Sequence, residues 1–234
     1  EYERQNTPEI NANNQFPKLI TIPTTAGTGA ETESTAMITD TKKDMKFCVW
    51  HHSFKPIITI LDPELTLTLP RNITAWTGFD ALTHAIEAFL VPSFNPLCDA
   101  MALEALKLVS RFLPVAYNEP NNISARAGML VGSCLAGVSF LKGLGLVHSI
   151  SHMIGAEYNT HHGLTNAIVL PVVLRFNLEG MDSQTATIAQ NMHLEQSSAA
   201  KLISEIEKLM GRTDIPDNLT EIGVPLDCVH RIAK

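Results

Sequence analysis

Apolar positions change their rhythm near Pro70. Before it they come in short runs separated by polar or glycine-rich stretches. Lys18–Pro23, Thr35–Thr39, Met45–Trp50 and Pro56–Leu61 read as strands, with Asp40–Asp44 as a polar turn between the second and third. The polar, Asn-rich residues 1–15 read as a surface loop or linker. After Pro70 the apolar period becomes helical. Asn95-Pro96 supplies an N-cap and a proline at the first helical position, opening a helix to about Ala116 whose apolar face is Met101, Ala105, Leu108, Val109 and Phe112. Ser124–Lys142 carries Ala125, Gly128, Gly132, Ser133, Ala136 and Gly137, small residues that let helices pack closely. Gly163–Asn177 reads as an apolar helix kinked at Pro171, and Met181–Asn191 as a further helix. Ser197–Met210 reads as an amphipathic helix closed by Gly211 as its C′ glycine. The pattern predicts an α/β portion over residues 1–70 followed by an all-α domain over residues 71–234, with no internal repeat.

Composition narrows the classes. Hydrophobic residues make up 45% of the 234 and charged ones 18%, which describes a globular chain with a sizeable core. A net charge of -7 and the lack of a basic stripe exclude a nucleic-acid partner from the expectation. Cys48, Cys98, Cys134 and Cys228 are scattered without a C-x-x-C, which points to reduced thiols in a cytoplasmic protein. No apolar run reads as long enough to span a bilayer, and no signal peptide opens the chain, so no membrane partner is expected.

The chemistry concentrates in two windows. Gly145–Gly163 holds four of the nine histidines: His148, His152, His161 and His162. His148 and His152 lie four apart, so on a helix they share a face, and Gly155 with Asn159-Thr160 lets the chain turn to bring His161-His162 back toward it. Imidazoles arranged this way suit zinc or iron(II), although core or helix-end histidines give the same spacing. In the second window, Thr77–Leu90, Asp80 and His84 are again four apart and Glu87 continues the stripe. Two such pairs, both in apolar helices where charge is costly to bury, make a mixed N/O metal site the stronger reading. His51-His52, His193 and His230 read as solvated surface residues. Gly143-Leu-Gly145 follows no strand and lacks a third glycine, so it is no dinucleotide fingerprint. Thr24-Thr-Ala-Gly-Thr-Gly29 after the first strand fits either an anion-contacting loop or an ordinary turn.

With these residues in view, the chain resembles the iron-containing (group III) alcohol dehydrogenases. The likeness is carried by Ile22–Glu31, Thr77–Glu87 and Gly145–Gly163, and runs from about Phe16 to Asn177. It implies a dehydroquinate synthase-like architecture: the nucleotide-binding side of an α/β domain, present in part, joined to an all-α metal-binding domain. It implies Asp80, His84, His148 and His162 as metal ligands, with His152 beside the metal, near the nicotinamide and catalytic. It also implies Thr24, Thr25, Gly27, Thr28, Met37 and Lys46 as cofactor contacts, where Lys46 taken alone reads as an edge-strand lysine. The cofactors implied are iron(II), with zinc possible, and NAD or NADP. The substrate implied is a small alcohol or aldehyde, and the assembly a homo-oligomer. A divalent ion so held would acidify an alcohol, as zinc lowers the pKa of bound water to roughly 7, letting hydride pass to a nicotinamide. His152, outside the ligand set, would relay the proton.

The sequence departs from the family at Ala30, where serine is frequent, and in lacking an upstream Gly-rich loop for the pyrophosphate. The chain is therefore expected to be part of a longer enzyme. The rival readings are a metal-dependent hydrolase, a dehydroquinate synthase-like lyase, and a non-catalytic metal-stabilised domain. The first would need further acid-base groups near the metal, the second a Lys/Arg cluster around it.

Overall fold

The structure is a computed structural model that describes residues 16–40 and 45–229. The opening fifteen residues, the tip of the Asp40–Asp44 turn and His230 lie outside the described residues.

Strand β1 (Ile20–Thr21) pairs in parallel with β4 (Ile58–Thr59), with Ile20 opposite Ile58 and Thr21 opposite Thr59. The predicted runs were longer than these strands, because pairing extends only by Ile57 N–H to Leu19 O and Ile60 N–H to Thr21 O. Leu19, Ile20, Ile22, Ile57, Ile58 and Ile60 are all exposed along this pair. Between the two, β2 (Thr35–Asp40) and β3 (Met45–Trp50) form an antiparallel hairpin, with Met37 opposite Cys48 and Thr39 opposite Lys46. Among the described residues no α-helix precedes Arg71.

Among the described residues seven α-helices follow. Helix α1 (Arg71–Leu90) is buried on every side from Thr77 to Ala88. It is the central rod of the domain, and its sequence accordingly lacks a polar face. Phe79, Leu82 and Ile86 are fully buried on it, each contributing about 1.5–3 kcal/mol of transfer free energy. Helix α2 (Pro96–Asn118) opens as expected, with the Asn95 side chain accepting from Cys98 N–H at 3.2 Å. Helix α3 (Ile123–Ser139) has the same kind of cap, Asn122 accepting from Ala125 N–H at 3.0 Å. Its small residues let it approach α2: a Cβ on Gly128 would lie 2.2 Å from the Phe112 ring. The stretch Ile123–Lys142 passes, by length and composition, for a membrane span, which the sequence reading did not allow for. Half of it is buried here, against α1 and α2.

Helices α4 (Leu146–Tyr158) and α5 (His162–Asn177) carry the histidine window. Gly155 sits inside α4, so it does not make the turn; Asn159, in the left-handed region at φ 51°, ends the helix. Pro171 lies within α5 as expected. Helix α6 (Asp182–Asn191) is short, and α7 (Ala199–Arg212) buries Leu202, Ile203, Ile206, Leu209 and Met210. Gly211 is not a C′ residue: the helix runs through it, and Asp214 takes the positive φ two residues beyond Arg212. These faces join one core with α1 at its centre.

Candidate metal centre

Three helices converge on one carboxylate oxygen. Helix α1 carries Asp80 and His84 one turn apart, and His84 Nε2 lies 3.7 Å from Asp80 Oδ1. Helix α4 brings His148, whose Nε2 is also 3.7 Å from that oxygen. The first residue of α5 brings His162, with Nε2 at 3.6 Å. Asp80, His84 and His148 are buried, while the His162 side chain is 37% exposed, so the cluster opens on one side.

Local sequence explains how His162 arrives there. Asn159 stops α4, and Thr165 Oγ1 ties the returning chain by donating to Thr160 Oγ1 at 2.8 Å. Gly163 then presses against α1: a Cβ there would lie 2.2 Å from Trp76 O and 3.2 Å from Asp80 Cβ. Any larger residue would lift His162 away from Asp80. His161 turns elsewhere, its ring 4.8 Å from that of Trp76. His152 is partly buried beside the cluster, its ring stacked on His162 at 4.9 Å and edge-on to His148 at 5.9 Å.

Burial alone would raise the Asp80 carboxyl, but the surrounding imidazoles, His84 foremost, outweigh it and hold the group well below the carboxylate range. Burial pushes His84 down to about 4 against the pull of Asp80, and pushes His162 to about 4 as well. Both rings are therefore neutral at neutral pH and keep a lone pair for a cation. Burial acts the same way on His148, but Asp80 and Glu87 on either side reverse it and raise the ring to about 9. For Glu87, burial is outweighed by His148 and the backbone N–H groups of Val147 and Gly145, which hold the carboxyl below its ordinary value.

The packing of the centre gives two residues a part that sequence spacing alone does not establish. Asn166, fully buried, donates from Nδ2 to Asp80 Oδ1 at 2.8 Å and lies 3.2 Å from both His148 Nε2 and His162 Nε2. Its signal was the four-residue spacing from His162. In the sequence Glu87 continues the α1 stripe and is a carboxylate that a hydrolase could use, with no link to His148; its Oε2 lies 2.7 Å from His148 Nδ1.

The glycine-rich loop lies against α1, the helix of Asp80 and His84, and against α3. Gly27 is buried on α1, where a Cβ would fall 2.4 Å from Thr77 O. Its carbonyl acts on the His84 ring, although His84 Nδ1 makes no well-formed hydrogen bond. Thr24 and Thr28 are exposed and Thr25 partly so, with Thr28 Oγ1 accepting from Ala30 N–H at 3.3 Å. Met37 stands half exposed on β2. Lys46 is in β3, its side chain outside the described residues.

Residues 74–234 match the model of the Fe-containing alcohol dehydrogenase family, C-terminal, and residues 1–63 match that of iron-containing alcohol dehydrogenase. The chain belongs to the iron-containing alcohol dehydrogenase family. Among curated relatives, the NAD-dependent methanol dehydrogenase of Bacillus methanolicus is 39% identical over 223 residues, covering 92% of this chain and 58% of the relative. The 1,3-propanediol dehydrogenase of Citrobacter freundii is 38% identical over 218 residues, covering 90% and 56%. Among solved structures, a 1,3-propanediol oxidoreductase superposes with a TM-score of 0.90 at 36% identity, over 94% of this chain and 59% of that one. Sulfoacetaldehyde reductase from Bifidobacterium kashiwanohense, solved in complex with NAD+, superposes with a TM-score of 0.85 at 29% identity, over 95% and 60%. The chain thus spans a little over half the length of these relatives.

The donor set fits the divalent ion that the family name implies. An ion about 2.1 Å from tetrahedral ligands places them about 3.4 Å apart; Asp80, His84 and His148 offer ligand atoms within 4.8 Å of one another, and His162, outside that trio, approaches it through Asp80 Oδ1 at 3.6 Å. One carboxylate with three imidazoles suits zinc and iron(II) alike.

Proposed function

We propose that this chain provides the metal-holding part of an NAD(P)-dependent alcohol dehydrogenase that moves hydride between a small alcohol or aldehyde and a nicotinamide. The carrying observation is the convergence of Asp80, His84, His148 and His162 on one oxygen, beside a loop whose Gly27 touches the same helix as Asp80 and His84. In this reading those four residues hold iron(II) or zinc. When bound, the ion supplies Lewis acidity toward an alcohol or carbonyl oxygen. His162, at the open side, sets where substrate approaches. His152, next to His162 and outside the four, carries the proton between substrate and solvent. Thr24, Thr25 and Thr28 face the dinucleotide, with Gly27 keeping the loop tight on α1 and Met37 and Lys46 on the hairpin beside it.

The division into residues 1–70 and 71–234 is supported by two family models that meet between residues 63 and 74, and by the start of α1 at Arg71. Relatives include an NAD-dependent methanol dehydrogenase and an NADPH-dependent butanol dehydrogenase of Clostridium saccharobutylicum, so both dinucleotides stay within the proposal. Unpaired Cys98, Cys134 and Cys228 agree with a reducing, cytoplasmic setting. A hydrolase would need a free acid-base group at the ion, and Glu87 is taken up by α4.

The test is NAD(P)H oxidation by the full-length protein with a panel of small aldehydes, metal-free and after loading with iron(II) or zinc. Turnover should appear only in the loaded protein. Equal turnover without metal, or metal-dependent hydrolysis of ester or phosphate substrates in its place, would overturn the reading.

A further inference from the structure

The Glu87 carboxylate receives four donors from one short stretch of chain. Oε1 accepts from Val147 N–H at 2.7 Å, and Oε2 from Gly145 N–H at 3.1 Å and His148 N–H at 3.3 Å. The fourth donor is the His148 ring, Nδ1 at 2.7 Å from Oε2. Gly145 precedes α4, and Val147 and His148 are in its first turn, so three of the four are the free N–H groups that every helix leaves at its start. The Gly145 position has no side-chain cap of its own, since glycine has none to give. Glu87 is 3% exposed, so water does not serve these groups in its place. Gly145 also has to be glycine for this contact: a Cβ there would lie 2.7 Å from Glu87 Oε1.

We propose that Glu87 is a positioning residue for the metal centre, a single carboxylate that caps α4 from outside and orients His148 within the same set of hydrogen bonds. An ionised carboxylate only accepts, so the ring nitrogen facing it carries the hydrogen. With Nδ1 held by Glu87, the hydrogen the ring gives up to a metal ion is the one on Nε2, the nitrogen that faces Asp80 Oδ1. The lone pair needed for a ligand is thus directed by Glu87, and so is the height of His148 along its helix, because the same two oxygens hold the helix start. Docking of α1 against α4 and readiness of the ligand become one event. Carboxylates behind metal-bound histidines act in this way generally, and their removal weakens metal binding by about 10–100-fold.

Glutamine cannot replace this group. It keeps the size but turns one acceptor into a donor, and four donors then face one acceptor oxygen and one NH2. Whichever way the amide lies, a donor meets either the His148 ring or Val147 N–H.

The inference rests on the proposed metal reading, and the experiment separates the two. Zinc affinity is measured by competition with a chromophoric chelator on the full-length wild type, Glu87→Gln and Glu87→Asp. In parallel, the imidazole proton of His148 is followed by NMR in the metal-free and zinc-loaded proteins. The wild type should bind one zinc and show a downfield, slowly exchanging Nδ1 proton in both states. Glu87→Gln should bind zinc about 10–100-fold more weakly and lose that proton signal. Glu87→Asp, which keeps an acceptor-only group on a shorter arm, should fall less than tenfold and keep the signal; it carries the test should the glutamine variant fail to fold. Wild-type zinc affinity in Glu87→Gln, or an unchanged His148 proton in it, would overturn the proposal. A wild type that binds no zinc would remove the metal reading instead, and the metal-free NMR comparison would still decide whether Glu87 orients His148.

Discussion

Asn166 Nδ2 donates to Asp80 Oδ1 at 2.8 Å, the oxygen on which the three imidazoles converge. The amide is completely buried and its Oδ1 has no partner. Its orientation is set by the acceptors it faces, since a carboxylate cannot donate. Asn166→Ala should therefore destabilise the metal-free protein by about 1.5–3 kcal/mol, the range for hydrogen bonds to charged groups, with the cavity adding to it. Urea unfolding of the metal-free wild type and variant measures this. An unchanged midpoint would mean that Asp80 draws its stabilisation from the histidines alone.

His162 and His161 adjoin in sequence and part in space. His162 Nε2 is 3.6 Å from Asp80 Oδ1, whereas His161 lies on Trp76. His162→Ala should lower zinc or iron content strongly after loading, and His161→Ala should leave it near the wild-type value. Metal analysis of the purified, loaded proteins checks both. Equal metal content in wild type and the His162 variant would remove His162 from the ligand set.

His152 stacks on His162 at 4.9 Å and lies edge-on to His148 at 5.9 Å. Its substitution by alanine should keep the metal and reduce turnover by roughly 10²-fold or more, the scale of acid-base catalysis. The loss should sit in the proton-dependent step, so the solvent isotope effect and the pH profile should change along with the rate. A metal-free His152→Ala protein would instead make His152 a ligand.

The legible parts of this centre were those set by spacing within one helix. Asp80 with His84, and His148 with His152, follow from a four-residue period, and both pairs do share a helix face. The return of His162 was also readable, although the residue that makes the turn is Asn159 and not Gly155. What the sequence hid depends on contacts between helices. Glu87 lies on the α1 stripe, but that it reaches the start of α4, 58 residues on, is a matter of packing. Asn166 belongs with Asp80 only because Gly163 lets α5 press on α1. Strand lengths were overestimated for a related reason: apolar runs record burial and β-propensity, while the length of β1 and β4 depends on how far each finds a partner. Gly211 misled because a glycine after an amphipathic run is a frequent stop, yet here the helix continues to Arg212.

The last prediction concerns the join between the glycine-rich loop and the helical domain. Gly29 and Gly137 face each other: a Cβ on Gly29 would lie 2.5 Å from Gly137 Cα, and one on Gly137 would lie 2.8 Å from Gly29 Cα and 2.6 Å from Thr32 Oγ1. Gly29 also has φ 64°, the left-handed region that favours glycine, so its own substitution would mix strain with contact. Gly137 is helical and gives the cleaner probe. Gly137→Ala gains about 1 kcal/mol of helix propensity, while overpacking a tight contact costs about 1–3 kcal/mol. The balance is a loss of up to about 2 kcal/mol, so the unfolding midpoint should fall modestly. The loop, however, must shift away from α3, carrying Thr24, Thr25 and Thr28 with it. The proposed ligands Asp80, His84, His148 and His162 lie on α1, α4 and α5, so zinc content should hold. If the threonines face the dinucleotide, a misfit of about 1.4 kcal/mol there weakens binding about tenfold. NADH titration followed by fluorescence, on full-length wild type and Gly137→Ala with equal zinc content, measures it. Unchanged NADH affinity with an unchanged metal site would show that the loop does not hold the cofactor, and Thr24, Thr25 and Thr28 would lose their proposed role.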